Sequence, residues 1–163
     1  MNLGFERTEQ KEDWITPPSI PKSLGHFDID PCASHFQKEF YADKNLFIED
    51  DGLNREWLGR VWCNPPYGRK AEKFIKKLSE HGNGVALIFA RMETKTWQDY
   101  ILPKATAVLF LNKRIAFWKD GVEGKETGGC GSALVAYGEY NAQLLLKTGL
   151  GGYFIRLHGE TIQ

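Results

Sequence analysis

The sequence predicts an open α/β sheet, mostly parallel, with an antiparallel hairpin at its C-terminal edge. Three observations predict it. The continuous apolar runs "GVALIFA" and "TAVLFLN" have strand length and read as strands buried on both faces. Helical stretches separate the early strands, as crossover connections between parallel strands require. The last part of the chain runs strand, strand, loop, strand without a clear helix, which suits an antiparallel edge.

The elements follow in order. Residues 1–13 are polar and form a lead-in, and residues 14–163 form a single domain. "WITPPSIPKSLG" carries three prolines and reads as extended or turning. "HFDIDPCAS" holds a strand over 27–30, stopped by Pro31. The segment after it reads as a helix or turn near 34–38 and a loop through 43–52. "GRVWCNPP" is the next strand. "RKAEKFIKKLSEHG" is a helix, with Phe74, Ile75 and Leu78 on one face and Gly82 placed to cap it. "GVALIFA" follows as a strand, "TKTWQDYILPKA" as a helix ending near Pro103, and "TAVLFLN" as a strand. "RIAFWK" has the composition of one more strand. "DGVEGKETGGCGS" has five glycines in thirteen residues and reads as a flexible loop, a candidate lid. "ALVAYG" and "GGYFIRLH" are the late strands.

Bulk composition narrows the functional classes. Hydrophobic residues make up 42% and charged residues 26% of the 163, the profile of a globular domain. Lys+Arg and Asp+Glu are both 21, so any nucleic-acid surface must be local. Cys32, Cys63 and Cys130 are widely separated, which argues against a disulfide framework and a thiolate zinc site and suits a reducing cytoplasm. The four histidines show no metal spacing. No run is long enough to span a membrane.

The chemistry concentrates in "VWCNPPYGRK", where a strand ends in Asn64-Pro65-Pro66-Tyr67. An exocyclic amine on a nucleobase is a poor nucleophile because its lone pair is delocalised into the ring. Acceptors placed around the NH2 favour localising that pair and stabilise the charge that develops as a methyl group transfers. The Asn64 side-chain oxygen and the Pro65 carbonyl can be those acceptors, and the proline rings fix the carbonyl's direction. Tyr67 offers a flat face for a planar base.

This tetrapeptide resembles the catalytic signature of amino-methylating, S-adenosylmethionine-dependent methyltransferases. The wider pattern resembles the phage-type DNA N6-adenine methyltransferases, the Dam-like family. Its pieces run in order as "DWITPP", "FDIDPCAS", "DDGL" followed by a tryptophan, "VWCNPPYG", "ALIFARMETKTW", "KRIAFW" and "SALVAYG", over residues 13–138. The resemblance implies a Rossmann-like class I methyltransferase sheet, S-adenosylmethionine as cofactor without a metal, double-stranded DNA as partner, base flipping, and a cytoplasmic setting, that of the host if phage-encoded. It implies catalytic roles for Asn64, Pro65, Pro66 and Tyr67. It implies cofactor binding by Thr16, Pro17, Asp30, Pro31, Cys32, Ala33, Asp51 and Asn64. Arg69, Lys70 and Arg114 are the candidates for DNA contact. Where many methyltransferases carry a glycine-rich loop, this chain has "DPCAS". The cofactor has no pyrophosphate, so a glycine nest is not required.

Each stretch also has a plain reading. Asn64 to Tyr67 can end a strand as a simple turn. Asp30 can make an Asx turn, Asp50 and Asp51 can be a solvated pair, Thr16-Pro17 a loop, and the lysines of 70–77 a solvated helix face. Methylation of RNA or of a protein glutamine amide, or binding without turnover, stays open at this point, as does the choice between monomer and homodimer.

Overall fold

The computed structural model describes residues 14–119, 122–124 and 129–159. The lead-in over 1–13 and much of the glycine-rich loop lie outside these residues. Nine strands and three α-helices are described: β1 Trp14–Ile15, α1 Ser19–Lys22, β2 Phe27–Asp30, β3 Ala42–Asn45, β4 Val61–Cys63, α2 Arg69–His81, β5 Gly84–Phe89, β6 Ala107–Leu111, β7 Trp118–Lys119, β8 Ser132–Tyr137, α3 Glu139–Lys147 and β9 Gly152–Arg156. A π-helical segment, Thr96–Ile101, joins β5 to β6.

Seven strands form one sheet in the order β3-β2-β4-β5-β8-β6-β9. The pairs β2–β3, β2–β4 and β4–β5 are parallel, and the three remaining pairs are antiparallel. Five strands therefore point one way, and only β8 and β9 run against them. β4 and β8 are buried along their whole length, as strands covered on both faces must be. One apolar layer, including Phe74, Ile75, Leu78 and Trp97, covers one face. A second, including Leu24, Phe27, Phe117 and Leu145, covers the other.

The expected edge hairpin is corrected. β6 and β9 do pair antiparallel at the edge, but they are not consecutive, and β8 is threaded between β5 and β6. "RIAFWK" contributes only β7, which leaves the main sheet and pairs with β1. Two further differences have local causes. β3 lies where a loop was expected from residue 43; it is an edge strand with one buried residue, so it carries no apolar run. α3 was not expected, because only Asn141, Ala142 and Leu145 of its nine residues are buried. The proline-rich 14–25 segment also includes one helical turn, α1.

The amino ends of β2 and β4 are joined by Arg60, which is 6% exposed. Its Nε donates to Asn141 Oδ1 at 2.5 Å, one terminal nitrogen donates to His26 O at 2.8 Å, and the guanidinium lies 4.0 Å from the Phe27 ring centroid. Its backbone N–H donates to Asp28 at 2.6 Å. A buried guanidinium depends on the acceptors its donors find, and here the other terminal nitrogen finds none among the described residues, which makes the remaining bonds matter more. Asn141→Leu removes one acceptor without opening a large void and should lower the unfolding free energy by about 2 to 3 kcal/mol. Urea denaturation measures this, and an unchanged midpoint would refute the role given to Arg60.

Candidate active site

The site forms where the parallel strands end. β2 ends at Asp30 and β4 at Cys63, and prolines follow within two residues in both cases. Proline cannot continue the ladder, so both chains turn out of the sheet side by side. Between them lies a cleft of about 260 Å³, lined by Pro31, Cys32, Ala33, Asp51, Asn64, Pro65, Pro66, Tyr67 and Lys70 among others. Eight of the residues singled out from the sequence thus share one cavity with Lys70.

Asn64 is oriented from the side. Its Nδ2 donates to Thr16 Oγ1 at 2.9 Å, and Thr16 is 4% exposed. The tether uses the donor end of the amide and leaves Oδ1 as a free acceptor. No donor among the described residues bonds the Pro65 carbonyl. Tyr67 stacks on Phe89, with ring centroids 4.8 Å apart and planes 12° from parallel. Burial pushes its phenol up to about 12, so the ring stays neutral.

Asp30 stands behind the cleft, 2% exposed, and its Oδ1 accepts the Cys32 N–H at 2.9 Å, an Asx turn. Burial raises its carboxyl to about 7, against the pull of that hydrogen bond. Burial, and then the neighbouring Cys63, pushes the Cys32 thiol well above its ordinary value, so it is a small apolar wall at neutral pH.

The opposite wall is the 47–55 loop. Asp51 is in the left-handed region at φ 52°, the one non-glycine with positive φ among the described residues. One of its carboxylate oxygens accepts from Asn54 Nδ2 at 2.6 Å. Gly52 sits against the other wall: a Cβ there would meet Pro31 O at 2.3 Å. Lys77 fixes the end of the loop by donating to the carbonyls of Leu53 and Arg55. Sequence reasoning missed Gly52 and Lys77. "DDGL" held a signal for the first; Lys77 looked like any other lysine of α2.

Other expected residues fall elsewhere. Pro17 and Arg114 line a separate cavity of about 270 Å³ beside the end of β6. Arg69 lines a third cavity on the far side of Tyr67. Arg114 is thus not part of the cleft, and the three cationic candidates do not form one patch. At the amino ends of β2 and β3 the fold also gathers His26, Asp28 and Asp43, with ligand atoms within 4.8 Å of one another, which no sequence spacing announced. Asp28 is already engaged by the Arg60 N–H.

A family model described as DNA N-6-adenine-methyltransferase (Dam) matches residues 6–146. No curated protein and no solved structure matches the chain.

The Asp30 geometry sets a pH dependence. The unfolded carboxyl releases its proton near 3.8, the folded one at about 7. The folded state therefore holds an extra proton in that window, and stability is lost as pH rises through it. Asp30→Asn is neutral throughout, so its melting temperature should gain on wild type between pH of about 4 and 8. Parallel thermal melts test this, and a constant difference across the window would contradict it.

Proposed function

The chain belongs to the DNA N-6-adenine-methyltransferase (Dam) family and is a DNA adenine methyltransferase; we propose that it is a minimal class I enzyme. In this reading a single domain over 14–163 moves the methyl group of S-adenosylmethionine directly to N6 of a flipped adenine in double-stranded DNA. The observation that carries it is the Thr16–Asn64 tether, which presents Oδ1 of Asn64 as an acceptor next to the unbonded Pro65 carbonyl.

The cleft residues suit the cofactor. The free oxygen of Asp51 can accept from a ribose hydroxyl, as cofactor sites of this chemistry need. Gly52 lets its loop close against Pro31, an approach that a side chain would block, since a Cβ would meet Pro31 O at 2.3 Å. The 31–33 turn, small and mostly buried, suits the methionine end, with Asp30 beneath it and Thr16 beside it, while Pro17 would act only by holding the Thr16 segment. When bound, S-adenosylmethionine supplies an electrophilic methyl carbon on a positive sulfur.

The protein's own task is to prepare the amine. Asn64 Oδ1 and Pro65 O accept its two hydrogens, which favours a tetrahedral nitrogen whose lone pair points at the methyl group. With the cofactor bound, its methyl group would pass to the nitrogen as the bond to sulfur breaks, and the positive charge would fall on the nitrogen. The same two acceptors hold that charge until a proton leaves to water. Pro66 keeps the turn rigid, and Tyr67, held by Phe89, offers its open face to the extruded base. Arg69 and Lys70 at the start of α2 suit contacts to the DNA backbone, with Arg114 reaching it from the second cavity.

The class I reading is supported by the open sheet, whose strands β2 and β4 end side by side at the cleft. The phage-type reading, supported by the ordered motifs, places the enzyme in the cytoplasm of a host cell. Among the described residues no helix is long and apolar enough to cross a membrane.

The test is methyl transfer from labelled S-adenosylmethionine to unmethylated duplex DNA, followed by digestion to nucleosides. N6-methyladenine should form, and Asn64→Ala should lower kcat by at least about 100-fold. Thr16→Val, which frees the amide without removing it, should lower kcat by about 10- to 100-fold. Cofactor binding without any label on DNA would sink the reading.

A further inference from the structure

A third cavity, of about 530 Å³, opens on the far side of the Pro65–Tyr67 turn. It lies between the amino end of α2, the carboxyl end of β5 and residues 91–97. Its size falls within the range of small-ligand sites. Tyr67 and Phe89 give it an aromatic wall. Arg69 and Arg91 also line it, and neither has an ion-pair partner among the described residues. The Arg91 guanidinium lies 5.7 Å from the Phe89 ring centroid. Lys95, by contrast, is paired with Glu72 at 3.6 Å.

Thr96 distinguishes this cavity from a mere surface hollow. It lines the space, and its hydroxyl, which bonds no described residue and is not among the enclosed polar atoms, stays open to the cavity. An aromatic wall, two unpaired guanidinium groups and an uncommitted hydroxyl together match a nucleotide: a flat base, a phosphodiester and polar edges.

We propose that this cavity is a subsite for the nucleotide that neighbours the target adenine on the same strand. Its base lies against Tyr67 and Phe89, its phosphate is held by Arg69 and Arg91, and Thr96 bonds one of its polar atoms. The inference rests on the DNA reading above and goes beyond it, because it gives this small chain a means of sensing the flanking base. Placement favours the neighbour over the target. Asn64, whose oxygen must face the target amine, lines the first cleft and not this cavity, whereas Pro65 and Tyr67 line both.

Two variants test it. Arg91→Ala removes an exposed cation, and Thr96→Val removes the hydroxyl while keeping the shape; neither residue lines the first cleft. Binding of a fluorescent unmethylated duplex is followed by anisotropy between about 50 and 200 mM salt. Arg91→Ala should weaken binding about tenfold and reduce the salt slope by about one. Thr96→Val should raise KM for DNA several-fold and leave kcat within about twofold of wild type, the split expected when uniform binding is lost. Both variants should bind S-adenosylmethionine as wild type does.

A wild-type salt slope in Arg91→Ala would overturn the proposal. So would a lower kcat with unchanged KM in Thr96→Val, since that pattern puts the target base itself in the cavity. If the wild type binds duplex but transfers no methyl group, the enzymatic reading fails, and the anisotropy comparison alone judges the subsite. A wild type that binds no duplex overturns both.

Discussion

The cleft of this molecule depends on two short parallel strands, β2 and β4, that stop at nearly the same level, with β5 running beside β4 and three residues beyond it. Ile29 pairs with Val61, and Val61 with Gly84, so β2, β4 and β5 deliver their carboxyl ends to one edge. The Val61, Trp62 and Cys63 side chains are buried on both sides, so a shift of β4 by one residue would exchange its two apolar faces. The register is therefore held by packing. The prolines at 31, 65 and 66 then decide where each chain leaves the ladder. Asp30 and Asn64 come out adjacent for that reason, and Thr16 can reach Asn64 from a segment 48 residues away in sequence.

Around that edge, polar groups are committed one end at a time. The Asn64 amide gives its donor to Thr16 and keeps its acceptor. Asp51 gives one oxygen to Asn54. Asp30 accepts the Cys32 N–H and is otherwise enclosed. Each side chain is fixed by a bond inside the protein while part of its capacity stays unspent, which is what preorganisation requires. The two walls of the cleft also support each other directly, Gly52 against Pro31, so neither loop can move far alone.

Much of this was legible in the sequence, for identifiable reasons. The strands at 27–30, 61–63 and 84–89 and the helix at 69–81 are apolar or strongly amphipathic and bounded by proline or glycine, and all stand where expected. β3 and α3 were hidden because an edge strand and a lightly buried helix need little apolar content. The position of β8 was hidden because local pattern says nothing about which non-neighbour a strand will join. At the cleft, the Asn64 to Tyr67 turn was legible from its chemistry alone. Thr16, Pro17 and Asp51 entered only through the family pattern. Gly52, Lys77 and Thr96 matter through close approach and burial, which exist only once the chain is folded.

The threading of β8 has a consequence for the order of assembly during synthesis. β5 pairs with β8 along its full length, from Gly84 with Tyr137 to Phe89 with Ser132. The strands that carry the cleft emerge from the ribosome first, but β5 has an open edge until some fifty further residues have followed it, as the Gly84–Tyr137 pair shows. Such distant pairing carries a loop-closure cost and slows folding. β6, made earlier than β8, must also leave a strand-wide gap for it beside β5. The Asn64–Tyr67 turn is thus among the first parts of the chain to exist and among the last to be held in place.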